Sequence, residues 1–232
     1  MKLALIGDIH GNADALGAVL AAAEKMDVEH LLVTGDLVGY YFAPAKVLEL
    51  LAIWSKHIVR GNHEEMLVAA RAERTALEAI STRYGSGIQI ALEQLTENQL
   101  DEICSFPHPL KLDIDGCRIL LCHGAHWDVD QYVYPDAKPE LLERCCNLDF
   151  DFVVMGHTHY PMIKQVDNMQ IINPGSVGQP RNGQPGAQWA FLDTISRHLE
   201  FRIEEYDRSS LIKECEARHP ELPYLAEVLK RT

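Results

Sequence analysis

Over its first sixty residues the chain alternates short apolar runs with longer stretches whose apolar residues recur every three or four positions. KLALI, LLV and HIV have the composition of buried strands, and they run into Gly7-Asp8, Gly35-Asp36 and Gly61-Asn62. Between them, ADALGAVLAAAEKM and APAKVLELLAIW carry the spacing of amphipathic helices. Strands alternating with helices predict a parallel sheet, and ligands of such sheets collect beyond the carboxyl ends of the strands. All three Gly-Asp/Asn pairs fall at such ends.

Residues 64–105 change character and become rich in Ala, Glu and Leu, with a capping-box pattern from Thr96 to Gln99 ahead of LDEIC. They read as a helical insert. From Leu110 the pattern turns to strands: LKLDI, a hairpin turn at Asp115-Gly116, then CRILLCHG and DFVVMGHTH, which again carry apolar runs to polar ends. MQIIN, AQWAFLD and HLEFRIEEY are expected to form a second, mixed or antiparallel sheet, and residues from about 207 to 232 a C-terminal helical segment. No solenoid-like repeat is evident. The expectation is one α/β domain over 1–232, long enough to bury roughly 70–75% of its unfolded surface without disulfides.

Charge narrows the function. Lys and Arg number 21 against 34 Asp and Glu, a formal net charge of −13, which argues against stable nucleic-acid binding and against an anionic membrane as partner. A phosphate could be held only by a local positive charge. The six cysteines, Cys104, Cys117, Cys122, Cys145, Cys146 and Cys215, contain no C-x-x-C pair, and the adjacent two cannot readily bridge each other, so they read as reduced thiols. The opening apolar run is too short for a signal-peptide core, and no run of eighteen apolar residues exists. Together these features point to the cytoplasm.

The strand ends gather Asp8, His10, Asp36, Asn62, His63, His123, His157 and His159. In Asp8-x-His10 and His157-x-His159 the two-residue spacing puts both side chains on one side of an extended segment, so each pair can converge on a point. This set exceeds what one ion can take and suits two, provided a carboxylate bridges them. Asp36, alone at its strand end, is the natural bridge. Competing motifs fail: His63-Glu64-Glu65-Met66-Leu67 lacks the second histidine of a zinc-protease helix, no G-x-x-x-x-G-K-[ST] phosphate loop is present, and Ser176 misses the nucleophile-elbow pattern by one position.

In order and spacing, Gly7-Asp8-Ile9-His10-Gly11-Asn12, Gly35-Asp36, Gly61-Asn62-His63-Glu64, Cys122-His123-Gly124 and Gly156-His157-Thr158-His159 resemble the calcineurin-like metallophosphoesterases. The likeness runs from Met1 to about Asp193 and includes Asn173-Pro174-Gly175-Ser176 through Arg181, which is similar to a segment of the compact prokaryotic members. The insert resembles that of the group labelled diadenosine tetraphosphatase-like or protein-phosphatase-like. The resemblance implies a four-layer α-β-β-α sandwich with two central mixed sheets. It implies Asp8, His10, Asp36 and His159 on one metal, and Asp36, Asn62, His123 and His157 on the other. His63 would stand off the metals as general acid or transition-state stabiliser, and Glu64 would orient nearby groups, the histidines among the candidates.

Two divalent ions would neutralise a phosphate ester, generate hydroxide near neutral pH and align it with the leaving group. Imidazole mixed with carboxylate suits Mn, Fe, Zn, Ni or Co better than Ca or Mg. The expected activity is phosphate-ester hydrolysis, most easily tested as a phosphodiesterase, with phosphomonoesterase activity as a variant that the sequence does not rank against it. A phosphoprotein phosphatase, a dinucleoside polyphosphate hydrolase and a non-catalytic scaffold of the same fold are the alternatives. Where many relatives carry a small residue and proline after His123-Gly124, this chain has Ala125-His126-Trp127-Asp128. His126 could assist the phosphate, and Trp127 either stacks a flat substrate group or packs beneath the Tyr132 and Tyr134 segment. Arg181 either reaches a substrate phosphate or forms a surface salt bridge.

Overall fold

In the first strand, alternate side chains serve two different interiors, and this sets the layering. The computed structural model describes residues 1–146 and 148–231; Asn147 and Thr232, the last residue of the expected helical tail, lie outside the described residues. The chain runs β1 (Lys2–Ile6), α1 (Ala13–Lys25), β2 (His30–Val33), α2 (Pro44–Ala52), β3 (Lys56–Ile58), α3 (Asn62–Ala72), α4 (Arg74–Tyr84), α5 (Gly87–Gln94) and α6 (Glu97–Cys104). It continues through β4 (Leu110–Ile114), β5 (Cys117–Leu121), α7 (Pro139–Cys145), β6 (Phe152–Val154), β7 (Met162–Val166), β8 (Met169–Asn173), β9 (Ala187–Asp193) and β10 (Leu199–Glu204), and then α8 (Ser209–Arg218) and α9 (Tyr224–Lys230).

Ala4 and Ile6 of β1 pack with Leu16 and Val19 of α1, whereas Leu3 and Leu5 pack with Ile119, Leu121, Phe152 and Val154 from β5 and β6. The period of two thus places helices on one face of this strand and a second sheet on the other. On the far side of that second sheet, Leu120, Val153 and Ile171 meet Cys145 of α7. The result is helices, sheet, sheet, helix: a four-layer α-β-β-α sandwich. At α6 the capping box forms as its pattern predicts, with the Thr96 hydroxyl accepting from the Gln99 amide at 3.4 Å.

The sheets have the orders β10-β9-β1-β2-β3 and β4-β5-β6-β8-β7. Both are mixed: β1, β2 and β3 are mutually parallel, as are β5, β6 and β8, with antiparallel partners outside them. The late strands therefore do not form a sheet of their own. AQWAFLD becomes β9, antiparallel to β1, and HLEFRIEEY extends it as β10. Burial explains this, since Trp189 and Phe191 join the helix-side core while Ala190 and Leu192 join the inter-sheet core. A strand apolar on both faces belongs inside a sheet. Neither α7 nor the edge strand β7 was anticipated; β7 alternates buried Met162 with exposed Ile163, too weak a pattern to read alone.

All six cysteines are free, and among the described residues no helix is long and apolar enough to cross a membrane. The tail helices α8 and α9 pack on Tyr40, Tyr41 and Phe42, the segment that follows β2. They also reach the turn between α4 and α5, where His219 Nε2 accepts from the Ser86 amide at 3.1 Å.

One carboxylate ties β2 to α3. Glu64, fully buried, accepts through Oε2 from the amides of Asp36 and Gly61, both at 2.8 Å, and through Oε1 from those of Leu37 at 2.7 Å and Val38 at 3.4 Å. Burial raises its pKa against the pull of these donors. It contacts backbone amides rather than the histidines. Glu64→Ala leaves those buried amides unpaired and should destabilise the chain by on the order of 3–5 kcal/mol, read as a fall in the urea midpoint. A loss below about 1 kcal/mol would mean that water replaces the carboxylate without cost.

Candidate metal centre

The carboxyl ends of five strands meet on one edge of the sandwich. The exit of β1 carries Asp8 and His10, that of β2 Asp36, that of β3 Asn62 and His63, that of β5 His123, and that of β6 His157 and His159. All eight side chains are buried. Convergence does not arise on extended segments, as the spacing suggested, but through left-handed turns. Asp8, His10, Asp36, His157 and His159 have φ between 50° and 67°, a region costly for residues with a Cβ and most tolerated by Asp, Asn and His. Each turn swings a side chain off its strand towards the common point. Glycine is needed where neighbours press closest: a Cβ on Gly61 would lie 2.1 Å from Asp36 Oδ1, and one on Gly39 2.0 Å from His63 Nδ1.

Ligand-capable atoms of Asp8, His10, Asp36 and His159 all lie within 4.8 Å of one another. The hydrogen bonds at the backs of the rings decide what those atoms present. His10 Nδ1 donates to the Val38 carbonyl at 3.2 Å, His159 Nδ1 to that of Gln179 at 2.7 Å, His123 Nδ1 to that of Thr34 at 2.7 Å, and His157 Nε2 to that of Asp130 at 3.2 Å. A carbonyl only accepts, so in each neutral ring the other nitrogen is a bare lone pair. Yet His10 Nε2 and His159 Nε2 stand 3.0 Å apart, and His123 Nε2 and His157 Nδ1 3.1 Å apart. Asn62 Oδ1 lies 3.0 Å and 3.2 Å from the latter pair. Acceptors facing acceptors repel, and a cation between them turns repulsion into coordination. This donor set fits divalent metal.

Asp36 joins the two groups: its Oδ2 is 3.6 Å from His10 Nε2 and 3.4 Å from His123 Nε2, while its Oδ1 accepts from the His63 amide at 2.9 Å. Burial raises the carboxyls of Asp8 and Asp36 and holds His10, His123 and His159 well below the usual imidazole range. Metal binding needs those rings neutral and offsets the penalty on the carboxylates. A second layer of bonds fixes the frame. The Asn173 amide donates to the Gly156 carbonyl at 2.7 Å, the Ser176 hydroxyl to that of Asp8 at 2.8 Å, and the His157 amide reaches both Asp8 oxygens at 3.1–3.2 Å.

His63 sits apart from the lone-pair groups. Its ring packs among His10 at 4.6 Å, Tyr40 at 4.7 Å and Tyr84 at 5.4 Å, its Nδ1 has no hydrogen-bond partner among the described residues, and burial followed by the Arg181 charge lowers it to about 3. Arg181 donates to Gln179 Oε1 at 3.0 Å and to the Tyr40 hydroxyl at 3.1 Å, and pairs with no carboxylate among the described residues. Tyr224 of α9 donates to the same Gln179 oxygen at 3.4 Å. His126 and Trp127 turn to α7 instead: His126 Nε2 is 3.4 Å from the Arg144 carbonyl, and the Arg144 guanidinium covers the Trp127 ring at 3.9 Å. Tyr40, Tyr84 and Tyr132, which crowd His10, His63 and His157, escaped sequence reasoning because lone tyrosines in loops and helix ends carry no spacing signal.

The model of the calcineurin-like phosphoesterase superfamily domain matches residues 1–197. The chain belongs to this superfamily. Among its relatives, phosphodiesterase YfcE of Escherichia coli K12 is 27% identical over 203 residues, covering 83% of this chain and 88% of YfcE. An uncharacterized protein of Methanocaldococcus jannaschii is also 27% identical, over 223 residues and 88% of each chain. The crystal structure of a metallophosphoesterase from Sphaerobacter thermophilus superposes with a TM-score of 0.78 at 26% identity, over 100% of this chain and 98% of that one. The fold, the phosphoesterase family and a buried cluster suited to divalent metal thus agree.

Within this calcineurin-like site, burial keeps His10, His63, His123, His157 and His159 neutral, so the folded chain binds fewer protons than the unfolded one below about pH 6.5. The stability they contribute is present above that pH and lost as pH falls. The raised carboxyls of Asp8, Asp36 and Glu64 act oppositely, but they are three against five. The urea midpoint of the chelator-treated protein should therefore drop between pH 7 and pH 5. A midpoint that rises over this interval would mean that the carboxyls dominate.

Proposed function

We propose that the chain is a metal-dependent phosphodiesterase working at a centre of two divalent transition-metal ions. Asp8, His10, Asp36 and His159 would hold one ion, and Asp36, Asn62, His123 and His157 the other. What supports two ions is the position of Asp36 Oδ2, within 3.6 Å of a bare imidazole nitrogen in each group. What supports a diester substrate is the likeness to a relative described as a phosphodiesterase. When bound, the ions supply charge neutralisation of the phosphate, an activated water and alignment of that water with the leaving group.

The chain's own residues do the rest. The Arg181 guanidinium, paired with no carboxylate among the described residues, meets a non-bridging phosphate oxygen while Gln179 and Tyr40 hold it in place. His63, neutral in the free site, becomes protonated beside the anionic phosphoryl group and donates that proton to the leaving oxygen. Tyr84 brings the helical insert to the same ring, so the insert borders the substrate. A non-catalytic scaffold would have no use for His63. The chain is read as a single domain over 1–232 in a cytoplasmic setting, which its six free thiols fit.

Metal analysis after reconstitution should find two ions per chain, and Asp36→Asn should weaken both sites together. Loss of one ion alone would move the bridge to another residue. His63→Asn should keep both ions and lower kcat by on the order of 10²–10⁴ for a diester with a poor leaving group. An unchanged rate would remove His63 from the mechanism.

A further inference from the structure

The loop after β5 carries two tyrosines that face water beside the metal centre. Tyr132 and Tyr134 are 45% and 40% exposed, whereas Val133 between them is buried in the core under the second sheet. Their rings stack, with centroids 5.6 Å apart and planes inclined by 15°. Tyr132 lies 4.1 Å from the ring of His157, and Tyr134 meets Tyr160 edge-on at 5.7 Å. A column of aromatic rings therefore leads from His157 out to solvent. The loop is anchored rather than loose: the Asp130 carbonyl accepts from His157 at 3.2 Å, Ala125 and Asp128 exchange backbone hydrogen bonds at 2.9 and 3.0 Å, and the Ala137 amide donates to the Tyr134 carbonyl at 2.9 Å.

Stacked rings left open to water at the mouth of a polar site suit a flat partner, because every nucleobase has a π-face and stacking tolerates any base. Trp127, expected either to stack a flat substrate group or to pack beneath the Tyr132 and Tyr134 segment, is covered on one face by Arg144 and packs against the core under the second sheet. Charge limits the size of the partner. Asp128, Asp130 and Asp136 are exposed along the same loop, and the chain as a whole carries −13, so a second or third phosphate would be repelled. The phosphate at the centre itself is compensated by Arg181, which acts on Asp8, His63 and His159.

We propose that Tyr132 and Tyr134 are specificity-determining residues that stack the nucleoside base of a mononucleotide-sized phosphodiester while its phosphate lies at the metal centre. The assignment of the phosphate rests on the phosphodiesterase reading above; the stacking platform does not.

The test compares two diesters with the same leaving group, thymidine 5′-(p-nitrophenyl phosphate) and methyl p-nitrophenyl phosphate, on the metal-loaded full chain. The wild type should prefer the thymidine ester in kcat/KM. Tyr132→Ala and Tyr134→Ala should each reduce that preference by about 5- to 100-fold, and Tyr132→Phe should retain it. A preference unchanged in both alanine variants, or equal losses on both esters, would overturn the proposal and leave Tyr132 as packing for His157. A second readout needs no turnover: titration of thymidine 5′-monophosphate should move the thymine proton resonances upfield in the wild type and not in the Tyr132→Ala, Tyr134→Ala double variant. Absence of that shift in the wild type would also overturn the platform. Hydrolysis of neither ester with the shift still present would overturn the phosphodiesterase reading and support the platform.

Discussion

The structure is organised around an electrostatic conflict: lone pairs of four imidazoles and one amide face one another in a buried space, together with two carboxyls whose charged form that burial disfavours. Each ring is turned to this arrangement by a carbonyl behind it, from Val38, Thr34, Asp130 or Gln179. Without a cation between them, burial favours a proton on the carboxyls and keeps the imidazoles neutral, and the cost of holding the rings face to face is spread over the whole edge of the sandwich. Two sheets are required because neither supplies enough strand ends alone. The first brings Asp8, His10, Asp36 and Asn62, and the second His123, His157 and His159. The inter-sheet core of Leu3, Leu5, Ile119 and Val154 thus has a chemical task as well as a packing one, since it holds the two half-sites in register.

Much of this was legible because the strand ends repeat one device. A short apolar run closing on glycine and a metal-capable residue can be read locally, and five repetitions mark one edge of a sheet. The locations of Asp8, His10, Asp36, Asn62, His123, His157 and His159 needed no tertiary knowledge. The membership of the late strands did, because β9 is apolar on both faces and such a run fits either sheet until its partners are known. The same limit hid the partners of Glu64, whose four backbone bonds come from Gly61 and from the segment Asp36–Val38, some 27 residues away. It also hid the tyrosines near the site. Trp127 drew notice by its sequence neighbourhood, while Tyr132, five residues on, packs against His157.

Three peripheral segments meet at Arg181 without contributing to the proposed metal ligands. Tyr40 from the loop after β2 and Gln179 from the segment after β8 hold its guanidinium, and Tyr224 from α9 holds Gln179. The tail also accepts a bond from Ser86 of the insert and packs on Tyr41 and Phe42. The side chain proposed to meet substrate charge is in this way positioned by residues distant in the chain, the last of them outside the span matched by the family model.

The left-handed backbone at Asp8, His10, Asp36, His157 and His159 changes how this edge tolerates replacement. Substituting alanine there removes a side chain and also installs a residue less at ease at positive φ, so the measured effect mixes lost chemistry with a reshaped turn. Asparagine keeps the turn and alters the donor, while glycine keeps the turn and deletes it. For these five positions the informative vocabulary of substitution is therefore Asn and Gly, and drift among relatives should follow the same narrow alphabet wherever the chemistry has been abandoned but the turn retained.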